Sequence, residues 1–364
     1  MAAPVKMESP LGARMMIGGR EVDYYCGTSY FCLHGHPEVI EAACAATRQY
    51  GMGPGTLAHM EVYADLQQRL RDWFGSEEVV YMISGYTSPM VLLQGLRDDF
   101  DVILLDSATH YSTRDAIPTL GKPTHEFRHA DAGDLAEQLL LHVKPGQRPA
   151  ILTDGVFPSS GRLAPLLDFR QVMAPYEGAL LCIDDSHGVG VLGETGRGSL
   201  QHAGLEGEGN FLAGTMSKAF GALGGVVPGN GALAEKITRN AMIMRGASPA
   251  PPGLAAAAAA SLRVLQATPE KRVNLTRNTK HMRGGLRALG FEVADTPVPI
   301  VTIKGSTDFE QLRDRLAERD IIVRVQQAGG YSDALDVPTM RLAVFSEHSP
   351  AQIDRLLQSM SELL

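Results

Sequence analysis

Cysteine is scarce in this sequence: four residues in 364, at positions 26, 32, 44 and 182. No two of them share a metal-site or redox-motif spacing, so no metal centre or dithiol pair is expected. The pattern is that of reduced thiols in a cytoplasmic protein, with Cys44 and Cys182 on segments expected to be buried. Long apolar runs are also missing. The longest, GLAAAAAASLRVLQ (253–266), is too short and too rich in alanine to span a bilayer. The N-terminal MAAPVKMESPLGARMM has no continuous apolar stretch behind its positive charge, so no signal peptide is expected. Basic blocks are absent too. The net charge of −8 comes from 41 acidic and 33 basic residues spread along the chain, which argues against nucleic acid as a partner. There is no internal repeat and no low-complexity linker.

Glycine, by contrast, is abundant: 39 residues, clustered at the ends of apolar runs, where a ligand-binding α/β protein needs tight turns. REVDYYCGTSYFCL reads as a short strand and turn. HPEVIEAACAATRQYG opens with Pro37 in the first helical turn and spaces Val39, Ile40, Ala43, Thr47 and Tyr50 along one face. EVYADLQQRLRDWFG repeats the pattern with Leu66, Leu70 and Phe74, and Gly75 is a natural stop. Beyond it, EVVYMI, DVILLD, PAILTD, ALLCID, NFLAGT and GGVVPG read as strands buried on both faces. Such runs predict a mostly parallel sheet covered by helices. Residues 253–285 read as one long helix leaving this domain, and the remaining 286–364 alternate strand and helix as a small α/β domain. The expected division is an N-terminal segment 1–40 packing with the small domain, a large domain 41–252, the connecting helix and the small domain.

In open parallel sheets ligands bind outside the carboxyl ends of strands. Five polar segments lie there: SGYTS after VVYMI, DSATH after DVILL, DGVFPSSG after AILT, DDSHG after LLCI, and TMSK after FLAG. GVGVLG (188–193) matches the dinucleotide fingerprint in letters only. DDSH separates it from the strand, and the GETGRGS that follows cannot open a helix. GTMSKAFG is not a phosphate-binding P-loop, because its glycines do not precede the lysine in the required way.

A lysine set among small, apolar residues has its charged form disfavoured and becomes a nucleophile able to form a Schiff base with an aldehyde. Pyridoxal 5'-phosphate is the common aldehyde, and its site needs the lysine, an acid on the ring nitrogen and donors for the phosphate. Lys218, Asp184 and SGYT (84–87, with Ser84, Thr87 and free backbone amides) supply candidates, with Thr215 adding a hydroxyl and His187 able to reach the ring's phenolic oxygen. Each has a plainer explanation alone: DD as a helix cap, His110 as structural, the lysine as a surface residue. Their common place at strand ends favours the site.

LTDGVFPSSGRLAPL, LLCIDDSHGVGVLGETGRG and AGTMSKAFGALGGVV together resemble the α-oxoamine synthases, from about residue 22 to the C-terminus. The resemblance implies a fold-type I pyridoxal-phosphate enzyme, an α/β transferase with a large, mostly parallel domain and a small C-terminal one. It implies an acyltransferase that condenses an amino acid with an acyl-CoA or other acyl thioester, with loss of carbon dioxide, to give an α-amino ketone. Lys218 is then the Schiff-base lysine and base, Asp184 the partner of the ring nitrogen and His187 that of the phenolic oxygen. His110 stacks on the ring and is placed to polarise the thioester carbonyl. Ser84, Gly85, Tyr86 and Thr215 grip the phosphate, Ser248 reaches it across a homodimer interface, and Arg341 holds the substrate carboxylate. Three departures stand out: Ser29 replaces an asparagine near that carboxylate, Pro158 replaces a serine, and the loop after Thr56 is short and lacks the usual entrance segment. They leave a second expectation, an aminotransferase acting on an amino acid or amino ketone.

Overall fold

The computed structural model describes residues 6–55, 59–333 and 335–364. Its central sheet has seven strands: β1 (Glu78–Met82), β2 (Val102–Asp106), β3 (Thr124–Phe127), β4 (Pro149–Asp154), β5 (Leu180–Asp184), β6 (Asn210–Thr215) and β7 (Gly225–Gly229). Their spatial order is β1-β7-β6-β5-β4-β2-β3. Only β7 runs against its neighbours; the other pairings are parallel. In β2, β4 and β5 every residue is buried. Alternation then sends Leu104, Ile151, Leu181 and Ile183 into one core and Ile103, Leu105, Leu152 and Cys182 into the other. A sheet with no polar face must be covered on both sides, which is why helices flank it. The strand that sequence reasoning misses is β3, THEF, an edge strand in which only Phe127 is buried.

The parallel strands end together on one rim, and the loop leaving β5 is shaped there by a single carboxylate. Asp185 is fully buried and accepts the backbone N–H of Ser199 at 2.6 Å together with its hydroxyl. Gly155, Gly188 and Gly198 pack against it so closely that a Cβ on any of them would come within 2.0–2.5 Å of its oxygens. Gly190, Gly193, Gly196 and Gly198 all have positive φ, so GVGVLGETGRG folds as successive turns, and a helix begins only at Ser199.

The second body is a three-stranded antiparallel sheet of Ile300–Ile303, Thr339–Ala343 and Arg324–Gln326, covered by helices Phe309–Glu318 and Pro350–Leu363. The N-terminal hairpin Arg14–Ile17/Arg20–Tyr24 joins it through parallel pairing of Asp23 and Tyr24 with Ile321 and Ile322. Buried Asp23 accepts from Gln352 at 2.7 Å and from Arg355 at 2.6 Å, and Tyr25 enters the small core.

Three expectations need correction. Residues 253–285 form two helices, Pro252–Ala267 and Glu270–Ala288. Thr268, before Pro269, leaves the helical region (φ −126°, ψ 64°), as the proline ring demands of its predecessor. Ile40 is 45% exposed and Cys44 is only half-buried, because helix Pro37–Tyr50 turns its Val39 and Thr47 side toward Pro252–Ala267. There Gly253 lies so close that a Cβ would sit 2.3 Å from the Thr47 hydroxyl.

Gly198→Ala is expected to destabilise the protein by about 2 kcal/mol or more, since it adds strain at positive φ to a clash with Asp185. Gly121→Ala, at positive φ but with nothing within 4 Å, is expected to cost about 1 kcal/mol. Equal melting temperatures for the two variants would contradict the packing role of Asp185.

Candidate active site

A cavity of about 250 Å³ opens on the strand-end rim, and Ser84, Gly85, Tyr86, His110, Asp184, His187, Thr215 and Lys218 all line it. These eight sequence-predicted residues come from four different strand ends and meet in one place. Ser112, Asp154, Val156, Pro158, Ser186, Ser217, Leu223 and Tyr331 complete the walls.

Lys218 follows β6 in a turn closed by the Gly221 N–H on its carbonyl at 3.1 Å. Burial pulls its amine down to about 8, against the opposing fields of Asp184 and Asp154. Asp184 ends β5. It accepts the Ser112 hydroxyl at 2.8 Å and the Ser186 N–H at 3.1 Å, so its carboxylate is held rigidly toward the cavity. His187, in the same turn, bonds the Tyr30 hydroxyl through Nδ1 at 2.7 Å. Burial, then the nearby Lys218 and Arg341 charges, hold it well below the usual imidazole range, so it is neutral.

His110 caps helix Tyr111–Ala116, and its N–H donates to Asp154 at 3.1 Å. Its Nδ1 lies 2.7 Å from the Ser112 hydroxyl and its Nε2 2.7 Å from the Tyr331 hydroxyl. Burial lowers its pKa, and burial pushes the Asp154 carboxyl well up, with Asp184 adding to the push.

The other end of the cavity is rich in donors. Ser84 opens a short turn, Gly85–Thr87, that runs into helix Ser88–Gly95, and its hydroxyl accepts the Tyr86 N–H at 3.2 Å. A Cβ on Gly85 would lie 2.2 Å from the Thr215 hydroxyl, so only glycine lets that hydroxyl sit against the turn. Thr215 in turn bonds Ser217 at 2.8 Å. Hydroxyls and amides at a helix start suit a phosphate. A buried amine of lowered pKa, a held carboxylate at the opposite wall and this cradle are the donor set that pyridoxal phosphate requires, and the residues present fit it.

Three predicted residues lie outside this cavity. Arg341, in strand Thr339–Ala343, is buried behind it and donates from Nε to the Pro158 carbonyl at 2.8 Å, so Pro158 links the guanidinium to the cavity wall. Ser29 is fully buried and its hydroxyl meets His34 Nδ1 at 2.6 Å; His34 Nε2 reaches the Ser217 carbonyl at 3.0 Å, next to Lys218. Ser248 is exposed and lines a separate cavity of about 290 Å³ with Tyr63, Tyr81 and Met244. The short loop after Thr56 begins outside the described residues.

Sequence reasoning missed Tyr30, Ser112, Asp154 and Tyr331. Ser112 carried a signal, a hydroxyl two residues after a strand-end histidine. Tyr30 and Tyr331 had none, since they reach the site from distant parts of the chain.

Residues 29–360 match the family described as aminotransferase class I and II. The chain is 33% identical over 352 residues to 8-amino-7-oxononanoate synthase of Thioalkalivibrio sulfidiphilus, covering 95% of this chain and 89% of that protein. It is 32% identical over 372 residues to the 8-amino-7-oxononanoate synthase of Nitrosococcus oceani, covering 98% and 96%. Among solved structures, the serine palmitoyltransferase of Sphingomonas wittichii superposes with a TM-score of 0.88 at 25% identity, covering 98% of this chain and 91% of that one.

Trapping of a small aldehyde on Lys218 by borohydride, followed by peptide mapping, is expected to rise with pH through a midpoint near 8. Below that pH the amine is protonated and unreactive. Surface lysines should respond only near their ordinary value of about 10.4. A Lys218 midpoint at that value would overturn the burial argument.

Proposed function

The chain belongs to the aminotransferase class I and II family, and from that premise we propose that it is a pyridoxal-phosphate-dependent acyltransferase of the α-oxoamine synthase group. It condenses an amino acid with an acyl thioester. A carbon–carbon bond forms between the amino acid's α-carbon and the acyl carbon, the carbon–sulfur bond breaks to release the thiol, and the carboxylate leaves as carbon dioxide. The proton taken from the α-carbon is replaced by one at the end, so the product is an α-amino ketone. The observation that carries this reading is the convergence of Lys218, Asp184, His187 and the Ser84–Thr215 cradle in one cavity, in a chain one-third identical over nearly its whole length to 8-amino-7-oxononanoate synthase.

When bound, pyridoxal phosphate supplies an electrophilic aldehyde and a ring that takes up the charge left at the α-carbon. This chain's residues supply the rest. Lys218 Nζ, whose pKa burial lowers to about 8, would hold the aldehyde and serve as the base for the α-proton. Asp184, fixed by two donors, keeps the ring nitrogen protonated. His187 bonds Tyr30 through Nδ1, which leaves Nε2 for the phenolic oxygen. Ser84, Gly85, Tyr86 and Thr215 orient the phosphate. Arg341 is a buried cation with no carboxylate within ion-pair reach among the described residues, as suits a group that waits for the carboxylate of a substrate.

The functional unit in this reading is a homodimer in which Ser248 of one subunit completes the phosphate site of the other. Its support is the position of Ser248, exposed beside an apolar hollow and outside its own Lys218 cavity. Ile83, Tyr86 and Met242 are also exposed. Among the described residues no helix is long and apolar enough to cross a membrane. A cytoplasmic location fits the reduced cysteines.

The test is release of free thiol and carbon dioxide from a panel of amino acids and acyl-CoAs. Thiol release is expected only when both partners are present, and it should vanish in Lys218→Ala, which still folds. An amino acid converted to its keto acid without any thioester would establish the aminotransferase instead. In sedimentation at micromolar concentration the cofactor-loaded protein is expected at twice the chain mass; a loaded monomer would refute the shared site.

A further inference from the structure

The loop between strands Arg324–Gln326 and Thr339–Ala343 leaves the small sheet and touches the cavity on the large one. Its anchor is Asp333, a buried carboxylate that accepts the N–H groups of Ser159 and Ser160 at 2.7 and 2.8 Å and the Ser160 hydroxyl at 2.7 Å. Two residues earlier, Tyr331 packs edge-on against Tyr111, with centroids 5.6 Å apart, and its hydroxyl lies 2.7 Å from His110 Nε2.

The contacts around His110 contain a counting problem with one good solution. Ser112 Oγ has one proton and two short neighbours, Asp184 Oδ2 at 2.8 Å and His110 Nδ1 at 2.7 Å. A carboxylate can only accept, so the serine proton belongs to Asp184. His110 Nδ1 must then carry a proton and donate to the serine oxygen, which leaves Nε2 as a bare lone pair facing Tyr331. The phenol donates to it. The other tautomer would satisfy the Ser112 N–H, 3.2 Å from Nδ1. It would, however, set two acceptors against each other at 2.7 or 2.8 Å, a far worse outcome than a longer bond at a helix start.

We propose that Tyr331 is a positioning residue of this site: its hydroxyl holds His110 as the Nδ1–H tautomer in a one-way chain from Tyr331 through His110 and Ser112 to Asp184. Both ring nitrogens are thereby engaged. His110 has only its flat face and carbon edge to offer the cavity, which favours stacking on the cofactor over donation to a thioester carbonyl. The small domain, through one loop, thus sets the orientation of a ring on the large domain.

The inference rests on the proposed cofactor site, and its test needs no acyl donor. Nitrogen NMR of holoenzyme labelled at histidine, with the His110 signals assigned by their loss in His110→Asn, is expected to show protonated Nδ1 and hydrogen-bonded Nε2. In Tyr331→Phe the Nε2 signal should move to that of an unbonded or mixed tautomer, with melting temperature unchanged. Cofactor affinity should fall about five- to tenfold, the scale of one hydrogen bond. Protonated Nε2 in the wild type, or a Tyr331→Phe spectrum identical to it, would overturn the proposal. So would loss of cofactor affinity with no change at His110, because it would show a structural role only. A wild-type protein that takes up no cofactor would instead sink the site reading, and the histidine spectra would still decide the tautomer.

Discussion

Burying one carboxylate organises this molecule's active rim. Asp185 directly follows β5 and is fully buried, and burial pushes its carboxyl up to about 7. The cost is limited by the hydroxyl and N–H of Ser199 and by glycine backbones pressed close on three sides. Because the glycines have no alternative packing, the chain from Gly188 to Ser199 is locked against the sheet. The neighbours of Asp185 inherit that order: Asp184 and His187 are aimed into the cavity by the turn that Asp185 pins.

The charges around the cavity follow from the same tight packing. Asp154, Asp184 and Asp185 surround one amine, and all three favour its ammonium form, while burial and Arg341 oppose it. Burial prevails, so the lysine becomes nucleophilic at mildly basic pH, well below the range of a surface lysine. The two histidines are likewise held neutral by burial. Neutral imidazoles beside the amine keep the site from being crowded with like charge, while Asp184 supplies a negative partner in the same cavity.

Much of this was legible in the sequence because the chemistry sits at strand ends. Unbroken apolar runs such as VILLD announce a doubly covered sheet, and the polar residue after each run falls on the rim by geometry alone. The covered parallel sheet and the candidates Lys218, Asp184, His187, Ser84 and Thr215 follow from that, while fold type I and the roles of His110, Gly85 and Tyr86 come from the family resemblance. The misses have physical causes. THEF is an edge strand and needs no apolar alternation. The break at Thr268 depends on Pro269 acting on its predecessor, inside a segment whose alanines read as continuous helix. Tyr30 and Tyr331 meet His187 and His110 across 157 and 221 residues, and no local pattern encodes such a meeting.

The parallel pairing of Asp23 and Tyr24 with Ile321 and Ile322 bears on how the chain is made. The hairpin is synthesised long before the strand it pairs with. Tyr25, buried in the small core of the finished protein, has no such core to enter until that strand and its neighbours have been made. The large domain, whose seven strands all lie between those points, is able to fold first. Closure of the small domain is then a late event of high sequence separation and correspondingly slow. Through Tyr331, the part of the chain that settles last also touches His110, so a nascent chain has its lysine in place before that imidazole is fixed.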